Sequence, residues 1–161
     1  MKGKKTDMKK ILVVAAHPDD EILGVGATVA KHAAQGDEVY ALILGEGQTS
    51  RGEHREDISA EVVKELHQNT LESAEKVGYK EVYFADFPDN RFDQVDLLDV
   101  VKAVEHKIRE IQPEIIYTHY SGDLNIDHQY TARAVLTATR PIGDYPVKEI
   151  YAFETLSSTE W

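Results

Sequence analysis

Short apolar runs rich in Val and Ile alternate with longer segments of helical period from one end of this chain to the other. KILVVAA at 10–16 stops at His-Pro and has the composition of a buried strand. Residues 21–35 then space Leu23, Ala27, Ala30 and Ala34 at helical intervals and end at Gly36. EVYALIL at 38–44 is the second strand, followed by a polar, Gly-rich loop at 45–52. A long helical pattern from residue 53 to 77, expected to break near its start, stops at Gly78. EVYFA at 81–85 is the third strand and 86–93 its loop. Leu97, Val101, Val104, Ile108 and Ile111 mark a helix ending before Pro113. EIIYTH at 114–119, a loop at 120–127, a short helix at 130–139 and VKEIYAFE at 147–154 complete the order. Strands and helices in this order specify βαβ units with right-handed crossovers. The expected fold class is therefore α/β: a single Rossmann-like three-layer αβα sandwich with a mostly parallel sheet of about five strands.

At 161 residues, with no repeat and no Pro/Ser-rich linker, the sequence is read as one domain over 8–161. Met8 opens a second plausible start, MKKILVV, so residues 1–7 are set aside as a disordered or appended terminus. The formal charge of -11 disfavours nucleic acid and anionic lipid as partners. The absence of cysteine excludes disulfides, thiolate metal sites and a cysteine nucleophile. No apolar run approaches the roughly 18–20 residues of a membrane span, and no signal-peptide pattern follows the basic start. A soluble, cytoplasmic protein is expected by default.

In an open α/β sheet the ligand site lies beyond the carboxyl ends of the strands. Two segments meet that condition: His17-Pro18-Asp19-Asp20-Glu21 after the first strand, and the loop carrying His119, Asp123, Asn125, Asp127 and His128 after the fourth. A histidine and a carboxylate on one strand-to-helix turn, completed by a histidine from a neighbouring loop, make three N/O ligands with an open position, as in catalytic zinc sites. Iron, cobalt or manganese suit the same ligand types. The competing explanation is that Asp19, Asp20 and Glu21 cap the following helix. It leaves His17 and the second loop unaccounted for.

AHPDDEILGVG after the first strand and GDLNIDH after a later one, with TSRGE and FPDNRFD between them, resemble the LmbE-like/PIG-L superfamily of zinc-dependent de-N-acetylases. The likeness runs in matching order from Lys10 to Glu154. It implies Zn²⁺ held by His17, Asp20 and His128, Asp19 as general base, and an N-acetylated amino sugar as the small-molecule substrate. It also implies that similar chains run on past Glu154, so this one is expected to be shortened at its C-terminus, and an uncovered apolar surface there is expected to favour homo-oligomers.

Many members of the superfamily carry His where this chain has Asn125, a catalytic candidate that can donate a neutral hydrogen bond but cannot act as an acid. His119 is the expected replacement as stabiliser of the oxyanion, with return of the proton from Asp19 as the other route. Asp127 is expected to orient a ligand imidazole, a turn residue being the simpler account. Arg51 is expected to bind an anionic group of the substrate, and Asp89, Asn90 and Arg91 to meet sugar hydroxyls, an Asx turn being the simpler account of Asp89 and Asn90. His32, His54, His67 and His106 are expected to be solvated. Gly24-Val25-Gly26 lacks the third glycine of a dinucleotide fingerprint and is read as close helix-to-sheet packing. The expected activity is metal-dependent removal of an N-acetyl group. Hydrolysis of another small amide, or a non-catalytic sugar or nucleotide binder, are the alternatives.

Overall fold

The computed structural model describes residues 8–51, 53–142 and 147–156, apart from the side chains of Arg51 and Glu56. The segments at 1–7 and 157–161, on which the expectations about the two termini fall, lie outside the described residues. The strands are β1 (Lys10–Ala15), β2 (Glu38–Gly45), β3 (Glu81–Phe87), β4 (Ile115–His119) and β5 (Glu149–Phe153). They form one parallel sheet in the order β3-β2-β1-β4-β5. The helices are α1 (Asp20–Leu23), α2 (Gly26–Ala34), α3 (Ala60–Val77), α4 (Leu97–Ile111) and α5 (Ile126–Ala138). The α/β reading and the strand count hold.

Alternation along β1 divides the core between the two faces. Leu12, Val14 and Ala16 meet Phe92, Val100, Val104 and Ile108 beside α4, together with Val135 of α5. Ile11, Val13 and Ala15 meet Val29 of α2, Ala74 of α3 and Phe153. Because β1 is covered on both faces, its apolar run is continuous rather than alternating. The chain crosses from β2 on one side of β1 to β4 on the other, so the carboxyl ends of β1 and β4 flank the point where strand order reverses. A ligand crevice opens at such a point. No helix in the described residues is long and apolar enough to cross a membrane.

Two departures from the sequence reading have local causes. The helix expected over 21–35 is split into α1 and α2 at Gly24 and Val25. A Cβ on Gly24 would stand 2.2 Å from Cδ2 of Phe153, so the missing side chain lets β5 press its ring against α1. Gly24→Ala is expected to destabilise the fold by about 1–3 kcal/mol through overpacking, seen as a lower denaturation midpoint. An unchanged midpoint would show that the ring gives way freely. The last helix starts at Ile126 instead of residue 130, because Asn125 caps it: its Oδ1 accepts the amides of Asp127 at 2.9 Å and His128 at 3.4 Å.

Candidate metal centre

β1 ends at Ala15, two residues before His17, and α1 begins at Asp20, so both side chains stand on a tight strand-to-helix turn. The His17 amide donates to Asp20 Oδ2 at 2.9 Å and closes that turn. β4 ends at His119, and the loop after it returns through Asp123 to α5, whose first turn carries Asp127 and His128. His17 Nδ1 lies 3.4 Å from Asp20 Oδ2, and His128 Nε2 lies 3.2 Å from the same oxygen. The three residues offer donor atoms that all fall within 4.8 Å of one another. Two further groups of that kind, His119/Asp123/His128 and His17/Asp89/Asp127, share a histidine with the first.

The outer shell separates these groups. His17 Nε2 lies 3.0 Å from Asp127 Oδ2 and 3.2 Å from Asp89 Oδ1, and His128 Nδ1 lies 2.9 Å from Asp123 Oδ2. Each outer nitrogen that donates to a carboxylate leaves the inner one with its lone pair directed at Asp20, which is how metal-ligating histidines are held. The His17/Asp20/His128 set therefore fits a divalent cation by donor type, convergence and tautomer. Asp127 faces His17 with Oδ2, and its other oxygen accepts the Phe92 amide at 3.0 Å, so it is fixed at both ends.

The electrostatics agree. Asp20, Asp89, Asp123 and Asp127 are all buried, and the imidazoles of His17, His119 and His128 face them. Burying so many carboxylates is costly unless cations meet them. Burial opposes a proton on His17, yet the carboxylates of Asp127, Asp20 and Asp89 prevail and push its pKa up to about 10. His128 is raised against its burial by Asp20 and Asp123. Burial would raise Asp20, but the imidazoles of His119, His128 and His17 hold it well below the usual carboxylate range. Protons held this way are those that a metal displaces on binding.

Asp19 differs from its neighbours. It is exposed, and it lines a cleft of about 220 Å³ with His17, Gln48, Ser50 and Asn90. Its backbone stands at φ 108°, a left-handed conformation rare outside glycine, with a strain of roughly 1–3 kcal/mol. It precedes α1 without making a side-chain capping bond, so the capping explanation for this acid does not hold. A larger hollow of about 530 Å³, lined by Glu46, Arg55, Val63, His67 and Asp86, lies toward β3 and includes none of His17, Asp20 and His128.

Other expected site residues adjoin the cluster or lie apart from it. His119 is 1% exposed, stacked on His128 at 3.9 Å and tilted against Phe153 at 4.7 Å. Its Nε2 accepts the Ala16 amide at 2.9 Å, its Nδ1 has no partner among the described residues, and burial lowers its pKa. The ring is enclosed between His128 and Phe153 with Nε2 3.3 Å from Asp20 Oδ2, and it is not among the residues lining the cleft that Asp19 lines. Asn125 is likewise committed, capping α5 with its oxygen and donating to Asn90 Oδ1 at 3.1 Å. Asp89 is buried, with Oδ2 accepting the Ser50 amide and hydroxyl and Oδ1 facing His17 and Asn90, so its carboxylate supports His17 first. Asn90 reaches the cleft, while Arg91 lines a neighbouring depression of about 350 Å³. The side chain of Arg51 lies outside what is described.

Two histidines expected to be solvated are not. His32 bridges Asp37 at 2.8 Å and the Tyr117 hydroxyl at 3.0 Å, and His67 stacks on Phe84 at 3.9 Å. The sequence gives Asp123 and Glu21 no part in the chemistry. The signal for Asp123 was present: an acid in the loop that also supplies a histidine is a natural outer partner.

A parallel αβα sandwich with a His/Asp cluster at its strand-order reversal defines an LmbE-like α/β protein. The sequence profile described as PIG-L, GlcNAc-PI de-N-acetylase, matches residues 12–139. The chain belongs to the PIG-L family. It is 28% identical over 155 residues to the uncharacterized deacetylase YaiS of Escherichia coli K12, covering 93% of this chain and 76% of that one. It is 32% identical over 111 residues to the diacetylchitobiose deacetylase of Thermococcus kodakarensis, covering 68% and 40%. Among solved structures, N,N'-diacetylchitobiose deacetylase from Pyrococcus horikoshii matches with a TM-score of 0.75 at 20% identity, covering 91% of this chain and 61% of that one. The 4-carboxy-2-hydroxymuconate hydratase GalB from Pseudomonas putida KT2440 matches with a TM-score of 0.75 at 26% identity, covering 96% and 70%. The chain thus spans between two fifths and three quarters of these relatives.

Proposed function

We propose that this chain is a Zn²⁺-dependent hydrolase that removes the N-acetyl group from an N-acetylglucosamine-type amino sugar or its conjugate, releasing acetate and a free amine. One observation supports this above all: an exposed carboxylate, Asp19, stands beside the convergent His17, Asp20 and His128 without belonging to their donor set. A site that only binds has no use for such a base.

Zn²⁺ at these three residues would supply Lewis acidity, lowering the pKa of a bound water towards about 7. Asp19 takes the proton as water adds to the amide carbonyl. The carbon–oxygen bond forms, the carbon–nitrogen bond breaks, and Asp19 returns the proton to the departing nitrogen, so one carboxylate serves as base and then as acid. This route needs no proton from His119 or Asn125, in keeping with where those residues stand. Asn90, Gln48 and Ser50 line the cleft with neutral donors and acceptors suited to sugar hydroxyls. The deacetylase names of the curated relatives support the substrate class.

A second reading rests on the hydratase at 26% identity: the same water-activating residues could add water to an unsaturated carboxylate. The test compares protein stripped with chelator and protein reloaded with Zn²⁺, on N-acetylglucosamine, diacetylchitobiose and N-acetylglucosaminyl conjugates. Acetate release that vanishes on stripping and returns with Zn²⁺ is expected. Release unaffected by stripping would remove the metal from the reaction. No release, combined with loss of absorbance from 4-carboxy-2-hydroxymuconate, would replace the deacetylase reading with hydration.

A further inference from the structure

Glu21 is fully buried on a four-residue helix, and among the described residues its Oε1 has no hydrogen-bond partner. Its Oε2 accepts the backbone amide of Asp19 at 2.9 Å. The backbone of Glu21 is itself tied down, because the Tyr79 hydroxyl, just past the end of α3, donates to its carbonyl at 2.9 Å. An apolar side chain of similar volume would fill this position at lower desolvation cost, so packing does not account for a carboxyl here. The amide that it accepts belongs to the residue at φ 108°.

We infer that Glu21 is the positioning residue for the base, holding Asp19 in its left-handed conformation through the Asp19 amide. The consequence of that conformation is visible in two adjacent acids that part company: Asp20 turns inward to face His17 and His128, while Asp19 stays at the cleft. Without an acceptor two residues on, residue 19 relaxes toward an ordinary backbone conformation and its carboxylate leaves the position beside the metal ligands. Tyr79 extends the support to α3, which packs against α1. This assignment rests on the deacetylase reading for its kinetic consequence but not for its geometric one.

Glu21→Gln keeps an oxygen acceptor, Glu21→Asp withdraws it by one methylene, and Glu21→Met removes it while preserving bulk. Glu21→Gln is expected to stay near wild-type kcat. Glu21→Asp and Glu21→Met are expected to lose about 100-fold in kcat, the scale of a reacting group displaced by about 1 Å, with KM and zinc content unchanged. Crystals of Glu21→Met should show residue 19 outside the left-handed region. Wild-type kcat in Glu21→Met, equal losses in the Gln and Met variants, or an unmoved φ at residue 19 would each overturn the inference. If Glu21→Met does not fold, the Gln and Asp pair decides. If wild-type protein releases no acetate, the deacetylase reading fails, and the φ of residue 19 in the variants still decides this one.

Discussion

Asp19→Asn is expected to retain its zinc and lose about 10²–10⁴-fold in kcat, the contribution of a positioned general base. The exchange suits the test because it disturbs little else. Asparagine tolerates the left-handed conformation better than other non-glycine residues, so φ 108° is no obstacle. Its amide still donates to Glu21. The carboxylate removed is in none of the groups of converging donors, so metal binding should be untouched. Acetate release measured alongside zinc content separates the two functions. A wild-type rate in Asp19→Asn would refute the assignment of the base, and loss of zinc would make Asp19 a ligand instead.

How much of this was legible beforehand depends on whether a residue acts through local or distant neighbours. The buried β1 could be read because a strand covered on both faces leaves a continuous apolar run, and the strand-end rule then singled out the HPDD turn. His128 lies more than a hundred residues beyond His17 and Asp20, and the strand order of the sheet, which sets β4 beside β1, brings it back to them. The acids were harder. Asp19, Asp20 and Glu21 look alike in sequence as helix-start residues, but they end in a cleft, a cation-facing cluster and a closed core, because one left-handed residue redirects the chain between them. His32 and His67 were misread because their partners, Tyr117 and Phe84, come from strands that periodicity cannot align with them. Asn125 could have been recognised: an Asn followed by an acid and a helical run is an N-cap, and accepting that shortens the loop and fixes the direction of His128.

His128→Ala carries the second large effect and tests the centre itself. The ring gives one inner nitrogen to the cluster and its outer nitrogen to Asp123, and it stacks on His119. Losing an outer-shell partner typically costs about 10–100-fold in metal affinity, so loss of a ligand should cost more than about 100-fold. Wild-type protein should melt at a higher temperature as Zn²⁺ is added, since a ligand that binds only the folded state stabilises it in proportion to the logarithm of its concentration over Kd. His128→Ala should show little of that rise, whereas Asp19→Asn should show all of it. The metal-free variant should also be less stable than metal-free wild type, because buried Asp20 and Asp123 each lose an imidazole. His119→Ala makes the discriminating control. If His119 only braces the cluster, its loss lowers stability and leaves most of the zinc-dependent rise in place; if it abolishes the rise as fully as His128→Ala does, the cation sits among His119, Asp123 and His128 and the ligand set must be redrawn.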